Sequence, residues 1–167
     1  MAPPRGAKRI CLTAIAGALS VLTLTAATSE GVPGFVWMGQ VTDGNALLVY
    51  GAADSPEDML FWIECNPKKK STEMTLYEDI PGSKVGEPVT IELNAGTLKA
   101  SLKGKVTTDE MSGFHFAVAK TFKVKPVLEL FEAKGPVTTT AGKLTKTLPE
   151  KGRAEALAKF AKGCPLD

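Results

Sequence analysis

The chain has a single histidine, His115, and that scarcity removes most of the raw material for catalysis and metal binding. Nucleophilic hydrolysis needs a nucleophile, a base working near neutral pH and usually a third group to orient it. No G-x-S-x-G elbow accompanies His115, and Ser112 in "MSGFHF", although close in sequence, has the setting of a turn residue before a strand. Three cysteines, Cys11, Cys65 and Cys164, with one histidine give no zinc spacing, and "TDGNA" lacks the ladder of oxygen ligands of a calcium loop. Met111 and His115 are the residue types of exported copper carriers. Met38, Met59 and Met74, however, lie within apolar runs, which is the signature of core packing. "GSKVG" at residues 82–86 has glycines and a lysine without the Walker spacing, and is read as a turn. The acidic groups at Asp54, Glu57 and Asp58, at Glu78 and Asp79, and at Asp109 and Glu110 all fall in turns, where solvated acids are expected in place of a glycosidase pair. No catalytic residue, metal or cofactor is therefore expected.

Charge of one sign is also missing. The chain carries 20 Lys and Arg against 18 Asp and Glu. Arg5, Lys8 and Arg9 precede an uncharged apolar stretch from Ile10 to about Ala26 that ends in small residues, the pattern of a secretory signal peptide cut after Ala27. Gly17, Ser20 and several Thr and Ala keep that stretch below the roughly 20 strongly apolar residues of a membrane span. Cleavage would leave 17 basic and 18 acidic residues, a near-neutral chain with no electrostatic footprint for nucleic acid and no membrane span. It would also discard Cys11 and deliver Cys65 and Cys164 to an oxidising compartment, where an even count points to a disulfide.

The remaining 140 residues suit one domain. Residues 28–34 read as a flexible lead-in and residues 35–167 as a single β-rich domain, with no internal repeat or low-complexity tract. "FVWMGQV", "ALLVYG" and residues 60–65 are strands, the first two joined by the hairpin signal Asp43-Gly44. Ser55, Pro56 and Asp58 suggest a helical turn or capped loop. Phe61, Ile63 and Cys65 share one strand face, and Leu60, Trp62 and Glu64 the other. Met74 and Leu76, then Val89, Ile91 and Leu93, then Leu98, Ala100 and Leu102 mark inward faces of three further strands. Phe114, Phe116 and Val118 are read as the apolar face of the next strand, which leaves His115 on its solvent face. From Pro126 the spacing of Val127, Leu128, Leu130 and Phe131 becomes helical for about two turns. Two Thr-rich strands follow, then a C-terminal helix with Leu157, Phe160, Ala161 and Cys164 at i, i+3, i+4 and i+7. The fold class is mainly β: an antiparallel sandwich or partly open barrel of seven to nine short strands. It carries one short internal helix and a C-terminal amphipathic helix tied by a Cys65 to Cys164 disulfide.

Cys65 and the closing "AEALAKFAKGC" make the chain similar to a loose group of small exported alphaproteobacterial proteins. These have short strands, an early cysteine at a strand end and a terminal helix ending in cysteine, a likeness that implies architecture and no activity. Ser112-Gly113 also resembles the Ser-Gly motif of the periplasmic lysozyme-inhibitor barrels. Phe114 and Phe116 stand where those proteins place a tyrosine, and their second motif is missing. The expected function is a periplasmic or secreted, non-catalytic binding module, its partner an unknown protein or envelope component. The alternative is an inhibitor of an envelope-degrading enzyme. Candidate contact residues are Ser112 and His115, and the solvated lysine tip Lys68, Lys69 and Lys70, which could dock an anionic surface or a protein partner.

Overall fold

Asp43 and Gly44 both have positive φ, 53° and 81°, the geometry of the two-residue turn that matches the twist of paired strands. The hairpin they close is the first of a series. The computed structural model describes residues 31–55 and 57–165; the signal-peptide expectation and the reading of Pro56 fall outside these residues. In chain order the elements are β1 Phe35–Thr42, β2 Asn45–Ala52, β3 Met59–Asn66, β4 Ser71–Leu76, β5 Pro88–Ala95, β6 Leu98–Thr108, β7 His115–Lys120, α1 Val124–Glu132, β8 Val137–Ala141, β9 Leu144–Leu148 and α2 Arg153–Ala161. All nine strands form one antiparallel sheet in the order β1-β2-β3-β4-β7-β6-β5-β8-β9, curled into a half-barrel. The expected mainly β fold is therefore present, as the partly open barrel and not the sandwich.

Period-2 alternation places the core. Leu48, Phe61, Ile63, Met74, Leu76, Ile91 and Leu93 are fully buried on the inner face, and both helices cover that face, α2 on β1 and β2, α1 on β5 and β6. Trp37 packs against Tyr50 at 5.2 Å and Phe131 at 5.7 Å between ring centroids, and Phe61 against Phe131 at 5.4 Å. Trp37 Nε1 donates to the Pro149 carbonyl at 2.8 Å, drawing the segment after β9 toward the opposite edge strand, β1. The helix α2 approaches β1 so closely that a Cβ on Gly39 would lie 1.9 Å from the Ala156 carbonyl oxygen, so only glycine fits there.

Cys65, at the end of β3 beside Phe61 and Ile63 on the inner face, is bonded to Cys164, just past α2, with the Cα atoms 5.7 Å apart. The bond joins residues 99 positions apart and fixes the helix end to the third strand.

Three expectations are corrected. In α2, Arg153, Ala156, Leu157 and Phe160 form the buried stripe, and Ala161 is exposed. Arg153 is only 2 % exposed because its Nε donates to Phe131 O at 2.7 Å and its Nη2 to the carbonyls of Ala133 and Gly135. The Phe131 carbonyl is one that the end of α1 leaves without a helical partner, and those of Ala133 and Gly135 follow just past the helix. Leu98 is 44 % exposed, since β6 begins there at a hairpin end. The faces of β7 are reversed: Ala117 and Ala119 are the fully buried inner residues, in phase with His115, while Phe114, Phe116 and Val118 belong to the outer face. Ala119 pairs with Met74, and Ala117 with Leu76 and Val106, so long neighbouring side chains already fill that part of the core.

Candidate functional site

The outer face has its own apolar centre. Register aligns Met38, Val49, Trp62, Thr75, Val118 and Lys105 across six adjacent strands. Trp62 of this row and, beside it, Tyr77, Phe114 and Phe116, all half-buried, form an aromatic cluster. The Tyr77 ring lies 5.6 Å from Trp62, 4.8 Å from Phe114 and 4.7 Å from Phe116. None of the four is fully buried, so the cluster keeps part of its ring surface on the outer face.

Over this patch runs a groove of about 870 Å³. Its floor is Trp62, Thr75, Phe116 and Val118, and its basic side is Lys103, Lys105 and Lys120, with Glu73. Val85 and Gly86 add a lip beside these lysines, held to β6 by Gly86 N to Val106 O at 2.8 Å and Val106 N to Glu87 O at 3.0 Å. Lys120 is paired with Glu73 at 2.9 Å. Among the described residues Lys103 and Lys105 form no ion pair. Thr75 is fully buried and its Oγ1 has no hydrogen-bond partner among the described residues. Buried hydroxyls are nearly always satisfied, so this one calls for explanation.

On the far side of Tyr77 and Phe114 is a smaller cavity of about 380 Å³, lined also by Phe35, Glu57, Asp58, Glu78 and Asp79. Glu78 is engaged by Lys146 at 2.8 Å. Among the described residues no three His, Cys, Asp or Glu side chains converge as metal ligands.

The residues singled out from sequence do not assemble into one site. His115 and Ser112 are held apart: Ser112 Oγ donates to Asp109 at 2.8 Å, and the His115 ring turns to Ser83. His115 Nδ1 lies 2.9 Å from the Ser83 carbonyl and 3.4 Å from its hydroxyl. A carbonyl can only accept, so this contact assigns the proton to Nδ1, and that nitrogen cannot act as base toward Ser83. Asp79 accepts from the His115 backbone amide and not from its ring, so no triad forms. Ser112 instead belongs to the β6–β7 tip, where Asp109 also accepts from the amides of Met111 at 3.0 Å and Ser112 at 2.6 Å and from the Tyr77 hydroxyl. The Tyr77 bond first, then those from Ser112 and Met111, hold the Asp109 carboxyl down at about 2. Tyr77 is correspondingly raised, mainly by that same bond. Lys68, Lys69 and Lys70 form an exposed turn braced by Lys69 N donating to Asn66 Oδ1 at 2.9 Å, and they are not part of the groove.

Trp62, Thr75, Lys103 and Lys105 were legible only as the outward members of alternating strands. The usable signal was aromatic residues on the face opposite Cys65, repeated at Tyr77 and Phe116. Among the described residues no helix is long and apolar enough to cross a membrane. Comparison with family models, curated proteins and solved structures gives no match to this chain.

Proposed function

We propose that the protein is an exported, non-catalytic binding module of the bacterial envelope, periplasmic or secreted, that takes its ligand in the groove over Trp62. One observation carries this reading: the inner face of the sheet is closed by two helices, while the outer face keeps a half-buried aromatic floor beside lysines that form no ion pair among the described residues. The groove has the dimensions and mixed lining of ligand sites, an apolar base with a few polar groups at its margin. Export is supported by the pattern of residues 1–27 and by the Cys65 to Cys164 disulfide, a bond that persists in oxidising compartments.

The test is thermal unfolding of the processed protein in the presence of fractionated envelope material. A ligand at 100 times its Kd stabilises by about 2.7 kcal/mol. Stabilisation seen for the wild type and lost in Trp62→Ser supports the site; stabilisation that Trp62→Ser retains overturns it. Mass spectrometry of protein recovered outside the cytoplasm should find a chain beginning at Thr28, and a chain that keeps residues 1–27 in the cytoplasm contradicts export.

A second reading, an inhibitor of an envelope-degrading enzyme, draws on the β6–β7 tip. Asp109 binds Ser112 through both its amide and its hydroxyl and is itself bonded to Tyr77, so the exposed Ser112-Gly113 turn is held in one shape. Lysozyme activity unchanged by a molar excess of the protein rules this reading out.

A further inference from the structure

Resting on that reading, we propose that the groove holds a free small molecule of one chemical class, an amphipathic aromatic anion: a flat apolar ring system carrying a single anionic head. Size comes first. At about 870 Å³ the groove can enclose a drug-sized molecule and is too small for a folded partner.

The floor then selects the body. Trp62, Phe116 and Val118 present rings and methyl groups, with few hydrogen-bonding atoms among them. A sugar, with hydroxyls on every side, would leave most of them unpaired there, whereas a fused ring can lie against the Trp62 indole in offset or edge contact. Trp62 already has Tyr77 on one side at 5.6 Å, so the ring is braced.

Charge selects the head. Three lysines and one glutamate line the groove, and because Glu73 is taken by Lys120, the cations without an ion-pair partner among the described residues are Lys103 and Lys105. Register fixes the distance between the two ends. Trp62, Thr75, Val118 and Lys105 occupy consecutive strands, so the backbone of Lys105 is three inter-strand steps, about 14 Å, from that of Trp62. The lysine side chain covers part of that span, and a two-ring anion stacked on Trp62 covers the rest. Thr75 lies between the two ends, fully buried with its hydroxyl unpartnered among the described residues.

The test compares 1-naphthoate with its neutral isostere 1-naphthamide, each titrated into the processed protein and followed by calorimetry and tryptophan fluorescence. Naphthoate should bind at least tenfold more tightly than naphthamide, with the advantage shrinking as salt rises. The double variant Lys103→Gln/Lys105→Gln should remove that advantage and leave naphthamide unchanged. Trp62→Ser, checked for folding by its melting curve, should weaken both. Equal affinity of the two probes for the wild type, or an advantage that survives in the lysine variant, overturns the anion preference. If Trp62→Ser then still abolishes both, the groove reading stands alone. Binding indifferent to Trp62→Ser sinks the site and its ligand class together. Absence of binding by either probe overturns the ligand class, while the thermal comparison with envelope material still decides the site.

Discussion

Phe61 and Trp62 are neighbours in β3, and the peptide bond between them separates two environments. Phe61 is fully buried between Trp37 and Phe131, whereas Trp62 is half-buried with Tyr77 on one side and the groove on the other. On the inner face polar groups find partners: the Trp37 indole donates to Pro149, the Tyr50 hydroxyl accepts from Val32 N at 2.9 Å, and Arg153 donates to carbonyls around the end of α1. Among the described residues Thr139, whose buried hydroxyl is unpartnered, is the exception. On the outer face, among the described residues, half-buried aromatic rings and the unpaired Lys103 and Lys105 surround Thr75, whose hydroxyl likewise has no partner. One sheet thus combines a packed structural side with an outer side that, among the described residues, keeps half-buried aromatic rings, lysines without an ion pair and an unpartnered hydroxyl.

The largest test of that division substitutes these two neighbours. Phe61→Ala should cost about 3–5 kcal/mol in denaturant unfolding, the range for a large aromatic removed from a packed core. Trp62→Ala should cost about 1 kcal/mol, since a half-exposed ring forfeits far less burial together with its one aromatic contact. Equal losses would erase the distinction between the faces.

Next in size is the bond that holds α2 on the inner face. Cys65→Ser/Cys164→Ser opens a loop of 99 positions and should lower stability by about 2–4 kcal/mol. Groove binding should survive wherever the variant remains folded, because neither cysteine lines the groove. Free alkylation of Cys65 in the folded native protein would contradict the disulfide.

A smaller effect of opposite sign is expected at Thr75. Replacing its unsatisfied hydroxyl by a methyl in Thr75→Val should stabilise the protein by up to about 1 kcal/mol in a thermal melt. A loss of similar size would mean that the hydroxyl is already satisfied and would weaken the case for an incomplete outer face.

The smallest effect is local and pH-dependent. Asp109 is held at about 2 in the folded chain, below the ordinary carboxylate value of 3.8. A depressed folded value contributes stability in full above pH 4, and that contribution is lost as pH falls through about 2. Proton-detected titration should show the amides of Met111 and Ser112 shifting together near pH 2, and Tyr77→Phe should move that midpoint upward. A midpoint near 4 in the wild type would remove the Tyr77 bond as the constraint on the tip.

The inner face was the more legible of the two. Period-2 patterning located Phe61, Ile63, Met74, Ile91 and Leu93 on one side, helical spacing located α1 and α2, and the cysteine count gave the Cys65 to Cys164 bond. Patterning failed at β7 because hydrophobicity alone ranks Phe114 and Phe116 above Ala117 and Ala119. Which set turns inward was decided by the volume already taken by Met74, Leu76 and Val106 on adjoining strands. Arg153 escaped notice because its partners are main-chain carbonyls, which no side-chain pattern records. The groove was hidden for a topological reason. Its floor depends on β4 pairing with β7, a contact between strands separated by the whole β5–β6 hairpin, so Thr75 and Val118 become neighbours only once the sheet is assembled.

The most direct test of the outer face as the binding side is a backbone and side-chain NMR titration of the processed protein with 1-naphthoate. Saturable shifts should centre on the Trp62 indole, Thr75, Lys105 and Val118 and leave inner-face Phe61, Ile63 and Leu93 in place. Shifts centred on Lys68, Lys69 and Lys70, or spread through the inner core with the Trp62 indole unmoved, would contradict the account.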